Sequence, residues 1–133
     1  MTISEVCEKF ALSQDTLRYY EKIGLLPRVQ KNSGGFREFA ERDCERIAMI
    51  KWMRDAGMSI KTLTQYIDMV PDGDKTIEAR KKLLLELKNQ LTIRINELQV
   101  IQRLLDEKIE CYEIHIAPKE EELFPRQTDQ MHL

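Results

Sequence analysis

Residues 16–25 have the sequence TLRYYEKIGL, and this stretch decides the fold of the N-terminal half of the chain. Ser13 precedes it and is placed to cap a helix, because its side-chain oxygen can accept from backbone N–H groups of the first turn. Leu17 and Tyr20 lie on one side of that helix. Gly24 follows as a stop, since glycine readily adopts the left-handed backbone that ends many helices. The stretch therefore predicts a short amphipathic helix.

Another short helix is predicted N-terminal to this one. Thr2 and Glu5 have the spacing of a capping box, which predicts a helix over about residues 3–10. Residues 11–13 are then left as a three-residue turn between the two helices. Two short helices joined in this way are typical of the helix-turn-helix.

A hairpin and two further helices are predicted after the helix-turn-helix. Residues 28–30 and 36–39 flank a glycine pair at 34–35, which favours a small two-stranded β-hairpin, or wing. A helix is predicted over about residues 41–56, and Ser59 is placed to cap a fourth. Residues 1–70 are therefore predicted to form a winged helix-turn-helix domain.

The C-terminal half has a seven-residue apolar repeat. No proline or glycine occurs between residues 74 and 117, so we predict one helix over 76–117, roughly 60 Å long. A chain of this size cannot bury so long a stripe by folding back, which predicts a coiled-coil homodimer, parallel or antiparallel. Residues 71–75 are predicted as a linker, and 118–133 as a polar tail beyond a stop at Pro118. The repeat consists of Ile77, Leu84, Leu91, Leu98, Leu105 and Tyr112.

Composition excludes several classes of protein. The 133 residues include 21 Lys and Arg against 23 Asp and Glu, a net charge of −2, so the chain is not polybasic overall. It has no apolar run long enough for a membrane span, and its N-terminus lacks the layout of a signal peptide, so we expect a cytoplasmic protein. Three widely spaced cysteines favour neither a disulfide framework nor a zinc site.

Positive charge is nonetheless concentrated locally. Residues 18–37 contain five Lys or Arg and a single acidic residue, Glu21. This segment spans the second helix and the wing, where a DNA-binding surface would need positive charge. A solvated protein surface could show the same bias.

Three motifs together resemble the MerR-type transcription regulators. TLRYYEKIGL at 16–25 resembles the family signature T-[LI]-R-Y-Y-E-x-x-G-L, GFREF at 35–39 resembles its wing, and MRDAGMS at 53–59 resembles the joint between its third and fourth helices. The resemblance implies a dimer that binds an inverted repeat in double-stranded promoter DNA and acts with RNA polymerase. It also implies a promoter whose long spacer is corrected by distorting the DNA in response to an effector.

The resemblance also assigns candidate DNA contacts. Arg18 is expected at base edges or phosphates in the major groove, and Arg37 is expected to follow the backbone from the wing. Tyr19 and Tyr20 are expected to donate to phosphates, although Tyr20 could instead pack in the core with Leu17. Gln14 could contact bases or simply suit a helix start. The full set is Gln14, Thr16, Arg18, Tyr19, Tyr20, Arg37 and Lys61.

The effector is not identified by the sequence. The stretch GDKTIEARK at 73–81 is most similar to the aldehyde-responsive branch, but Trp52 stands where that branch has its sensor cysteine. Trp52 could pack against a partner helix or line an effector pocket. Cys111 could be a sensor thiol or an intersubunit contact. The expected signal is an electrophile or another small molecule. No metal ligand set or cofactor motif is found in the sequence.

The sequence pattern also bears on two other classes of function, an adaptor and an enzyme. A coiled-coil adaptor that uses its winged head on protein surfaces would also fit the pattern. An enzyme is disfavoured, because the sequence offers no paired-carboxylate cleft, no nucleophile–base arrangement and no phosphate-cradling loop.

Overall fold

A computed structural model describes residues 1–127, which form two compact units, Met1–Leu91 and the segment from Thr92 onward. The predicted mainly α fold, with short helices followed by one long helix, is confirmed. A 3₁₀ segment spans Val70–Thr76, and a π-helical segment spans Tyr112–Ile116. The α-helices are α1 Ile3–Phe10, α2 Gln14–Lys22, α3 Glu41–Asp55, α4 Ile60–Met69, α5 Ile77–Glu110 and α6 Ala117–Leu123.

The core of the first unit lies between α1, α2, α3 and α4. Leu17 of α2 and Ile47 of α3 are fully buried there, beside Val6 of α1 and Leu63 of α4. Burial of this apolar face leaves the opposite face of α2 in solvent, which is the face that carries Arg18.

Caps start the helices where the sequence predicted them. The Ser13 hydroxyl accepts from the Thr16 N–H at 3.0 Å at the start of α2. At α1, Thr2 and Glu5 form the predicted reciprocal capping box. The N–H of Thr2 donates to the Glu5 carboxylate, which holds the pKa of Glu5 below its ordinary value.

The wing is smaller than predicted. Instead of two strands, the described residues contain a single antiparallel bridge, between Lys31 and Arg37. Two backbone bonds flank this bridge, from the Asn32 N–H to the Phe36 carbonyl oxygen at 2.8 Å and from the Glu38 N–H to the Gln30 carbonyl oxygen at 2.9 Å. The pairing ends there because the backbone of Phe39 pairs with the N-terminus instead: its N–H donates to the Met1 carbonyl oxygen at 2.8 Å, and the Met1 ammonium donates to the Phe39 carbonyl oxygen at 2.9 Å. At the tip, Asn32 Oδ1 accepts from the N–H groups of Gly34 and Phe36, at 2.9 and 3.1 Å, and closes the turn.

The long helix ends earlier than predicted, and Pro118 does not stop it. Helix α5 ends at Glu110, a π-helical segment follows, and Pro118 lies in the first turn of α6. A proline is tolerated in a first turn because its missing N–H has no intrahelical partner there. In a continuous helix its ring would clash with the carbonyl of Ile114, so the preceding turn widens. The predicted polar tail is therefore helical as far as Leu123, and residues 128–133 lie outside the described residues.

Replacing Leu17 tests the core. Because this side chain is fully buried, Leu17→Ala should lower the free energy of unfolding by about 2–5 kcal/mol. Urea unfolding followed by circular dichroism, at one fixed protein concentration, measures the loss. Tyr19→Ala, on the exposed face of the same helix, is the control and should change stability by less than about 1 kcal/mol. Equal losses would contradict this assignment of the two faces.

Candidate nucleic-acid interface

A groove of about 430 Å³ lies between α2 and the wing. Three cationic side chains line it: Arg18 from α2, and Lys31 and Arg37 from the wing. The predicted candidate Gln14 lines the same groove. Two segments separated in sequence thus bring their positive charges to one surface, as recognition of a phosphate backbone requires. We call this surface the α2–wing groove.

Arg18 is oriented by its own helix. Its guanidinium donates to Gln14 Oε1 at 3.2 Å and lies 3.7 Å from the Asp15 carboxylate. Both charged side chains are exposed, and exposed ion pairs of this kind contribute little to stability. The guanidinium can therefore exchange these partners for a guanine edge or a phosphate, both of which suit its planar fork.

An ion pair joins the wing to α2. Arg37 Nε donates to Glu21 Oε1 at 2.8 Å, and the Glu21 side chain is only 10% exposed. Glu21 is the single acidic residue of the basic segment 18–37. Its carboxylate pairs with Arg37 and is mostly shielded from solvent. The Nε of Arg37 thus joins the wing to α2, and the same residue lines the α2–wing groove.

The tip of the wing carries an aromatic side chain that sequence reasoning missed. Phe36 is 73% exposed and lines the α2–wing groove, directly after Gly35, whose φ of +80° completes the turn. The spacing of the two phenylalanines could have revealed its exposure. Phe36 and Phe39 are three residues apart on an extended segment and so face opposite ways, and Phe39 is the buried one.

The other predicted contacts separate into different environments. Tyr19 is 49% exposed, whereas Tyr20 is only 5% exposed and belongs to the core. This burial favours the second alternative for Tyr20, in which its ring packs on the face it shares with Leu17. The Thr16 hydroxyl lies 2.8 Å from that of Ser13, so it supports the helix cap. Lys61 is exposed on α4, which contributes no residue to the α2–wing groove.

Two family profiles match the chain across this surface and beyond it. The profile of the MerR HTH family regulatory proteins matches residues 1–70, and the profile described as MerR, DNA binding matches residues 44–108. The chain belongs to the MerR family. It is a DNA-binding transcription regulator, and the regulators it resembles are not enzymes.

Individual MerR proteins are similar over most of the chain. The HTH-type transcriptional regulator AdhR of Bacillus subtilis is 43% identical over 91 residues, which cover 68% of this chain and 65% of AdhR. A candidate MerR family regulator from Listeria monocytogenes has a crystal structure with a TM-score of 0.72, 38% identity and 98% coverage of both chains. HiNmlR, a MerR family regulator lacking the sensor domain, was crystallised bound to promoter DNA. That structure gives a TM-score of 0.77, 32% identity, and coverage of 85% of this chain and 86% of HiNmlR.

The two candidate sensing residues of this MerR protein lie in different units. Trp52 is 48% exposed on α3, three residues after the exposed Met49. Cys111 is half-buried between α5 and the π-helical segment, with its Sγ 3.9 Å from the Lys108 carbonyl oxygen. Next to it, a hydrogen bond to the Glu120 carboxylate raises the pKa of Tyr112.

Between residues 1 and 127, no three His, Cys, Asp or Glu side chains are grouped so that they could hold a metal ion. None of the helices in that part of the chain is long and apolar enough to cross a membrane.

Removing the Glu21 charge separates positioning from electrostatics. A carboxylate near DNA repels phosphate, so Glu21→Gln would strengthen binding if charge alone mattered. Because Glu21 holds Arg37, we expect weaker binding instead, by about threefold to tenfold, within the range of coupled neighbouring residues. Fluorescence anisotropy with a labelled operator duplex measures the change.

The control for this variant is Glu38→Gln, which removes an exposed carboxylate of the wing. It should bind DNA as well as the wild type or slightly better. In combination with Arg37→Gln, the Glu21→Gln substitution should have little further effect. If Glu21→Gln strengthened binding as Glu38→Gln does, the positioning role of Glu21 would be wrong.

Proposed function

We propose that this MerR protein is a homodimer that binds an inverted repeat in a promoter through two copies of the α2–wing groove. The observation that carries the proposal is the convergence of Arg18, Lys31 and Arg37 on that groove. Phosphate contacts from such side chains supply affinity, while Arg18 and Gln14 on α2 are placed for base edges. The complex of HiNmlR with promoter DNA supports this use of the fold.

The exposed apolar face of α5 supports the homodimer. Its repeat positions Leu91, Leu98 and Leu105 are all exposed in the single chain. Several further aliphatic side chains of the same helix are also in solvent, which is more apolar surface than a monomer usually exposes. A second copy would bury this surface in a coiled coil. The further exposed side chains are Leu85, Ile93, Ile95, Val100, Ile101, Leu104 and Ile109.

The distribution of charge along the long helix favours an antiparallel pair. Residues 77–91 contain four basic and two acidic side chains, whereas residues 97–113 contain two basic and five acidic ones. An antiparallel arrangement places the basic part of each helix opposite the acidic part of its partner. A parallel arrangement would place like charges together, which is unfavourable at coiled-coil flanks.

The dimer is proposed to act by distorting its promoter. Two heads with one α2 each should contact half-sites that lie on the same face of the duplex. Bending and untwisting a site of this size costs on the order of 1–6 kcal/mol, which contacts from two heads can offset. We propose that the distortion realigns the promoter elements of a long spacer for RNA polymerase, and that the protein works in the cytoplasm at the nucleoid.

An effector is proposed to favour the distorted complex. Trp52 lies where the aldehyde-responsive branch has cysteine, so an indole replaces the thiol at that position. Cys44 is buried, which leaves the half-buried Cys7 and Cys111 as the accessible thiols. Cys111 is the candidate for an electrophilic signal, and Trp52 the candidate for a non-covalent small molecule.

Arg18→Ala tests the DNA contact. Loss of a guanidinium that contacts a base or phosphate should weaken operator binding by about tenfold to a hundredfold and reduce the salt slope by about one if the contact is a phosphate. Fluorescence anisotropy at several salt concentrations measures both effects. Arg103→Ala removes the same charge outside the winged head and should bind as the wild type does. Weak and equal binding by all three proteins would favour the adaptor instead.

Leu98→Glu tests the dimer. A carboxylate at a central repeat position should dissociate the pair, because a buried and unpaired charge costs several kcal/mol. Sedimentation equilibrium should then show monomers, and operator affinity should fall by at least about a hundredfold, since a single head loses the second half-site. Gln99→Glu, on the adjacent position of the same helix, should stay dimeric. A Leu98→Glu protein that remains dimeric would contradict the proposed interface.

A further inference from the structure

A closed set of hydrogen bonds ties the end of α4 to the first turn of α5. The Thr76 hydroxyl donates to the Met69 carbonyl oxygen at 2.7 Å. Arg80 Nε donates to Thr76 Oγ1 at 3.1 Å, and Arg80 Nη2 donates to the Gly73 carbonyl oxygen at 2.8 Å. We call these four residues the α4–α5 joint.

The joint depends on the backbone of Gly73. Its φ of 64° and ψ of −133° lie in a region that is essentially restricted to glycine. In this conformation the Gly73 carbonyl accepts from Arg80, a residue seven positions later. Gly73, Thr76 and Arg80 are all half-buried, so water competes less for these bonds than it would at an open surface.

These contacts make a rigid connection out of a segment whose composition suggests a loose one. Residues 71–75 have the sequence PDGDK, which predicts a linker. Met69, however, is the last residue of α4, and the 3₁₀ segment begins directly after it. Thr76, the residue immediately before α5, adds a side-chain hydrogen bond to the Met69 carbonyl oxygen. The first turn of α5 cannot swing relative to α4 without breaking these bonds.

We propose that the α4–α5 joint fixes the half-site spacing that the dimer accepts, an inference that rests on the proposed function. Each base pair added between half-sites rotates one of them by about 34° and shifts it by about 3.4 Å. A flexible connection between the winged head and the dimerisation helix would absorb such a change. A rigid joint cannot absorb it, so the protein rejects incorrectly spaced sites. Thr76 and Arg80 are thus positioning residues for operator specificity.

The test measures operator affinity as a function of the number of base pairs between the half-sites, which we call the spacing profile. An operator duplex is first selected by the wild-type protein from a random-sequence pool, and duplexes with one and two base pairs added between its half-sites are then prepared. Anisotropy titrations compare the wild type with Thr76→Val, which keeps the side-chain shape without the hydroxyl, and with Arg80→Gln. Lys81→Gln removes a neighbouring exposed charge of α5 and is the matched control.

The wild type and Lys81→Gln should lose about tenfold in affinity per added base pair, a loss within the range of DNA deformation costs. Thr76→Val and Arg80→Gln should lose at most about threefold, while their dimers stay intact by sedimentation. Hydrogen exchange should also become faster at the amides of residues 70–77 in both variants, as local opening becomes easier. If Thr76→Val fails to fold, Arg80→Gln carries the comparison.

Four identical spacing profiles would overturn the role of the joint, and so would unchanged exchange at residues 70–77. Failure of the proposed function has a different signature. In that case the wild-type protein selects no duplex from the pool at all. The proposed role of the joint in half-site spacing would then be wrong as well, because it rests on operator binding.

Discussion

The structure depends above all on an apolar surface that one chain leaves unburied. Helix α5 presents its heptad leucines to solvent along much of its length, and no small domain can offset that exposure alone. We propose that association through this helix gives the protein a two-fold axis. In such a dimer one small winged head would suffice, because two heads on a dyad double the contacts without enlarging either one. Promoter recognition would then depend on the burial of these leucines.

Within each head, a second constraint is electrostatic. The recognition face of α2 needs positive charge, yet crowding Arg18, Lys31 and Arg37 around one groove is unfavourable in the absence of DNA. Glu21 relieves part of this cost and at the same time joins the wing to α2. A single carboxylate in the basic segment therefore has a structural purpose. The wing needs it all the more because its own backbone pairing is limited to one bridge.

The sequence predicts best those features that depend on neighbours along the chain. The caps at Thr2 and Ser13 follow from spacing of three residues, and the long helix follows from a seven-residue repeat. The Arg18 face of α2 is predictable for the same reason, since helical periodicity places Arg18 off the face that Leu17 shares with Tyr20. These local rules, together with three motifs in register, were sufficient for the fold class and the family.

Features that depend on competition between local options could not be predicted in this way. Phe39 could have continued the hairpin, but its backbone pairs with Met1, a residue distant in sequence, and the hairpin ends there. Pro118 could have ended a helix, but it begins one. Tyr20 lies in a motif that suggests DNA contact, yet its ring completes the core. The Gly73 bond to Arg80 spans seven residues and a non-helical turn, which no periodicity reveals.

Hydroxyl-radical footprinting of the selected operator tests most directly the central claim that two α2–wing grooves on one dyad bind the DNA. The account predicts two clusters of protected sugars on one face of the duplex, related by the dyad of the inverted repeat. Each cluster should correspond to one winged head. A single protected cluster, or even protection along the whole fragment, would contradict the account.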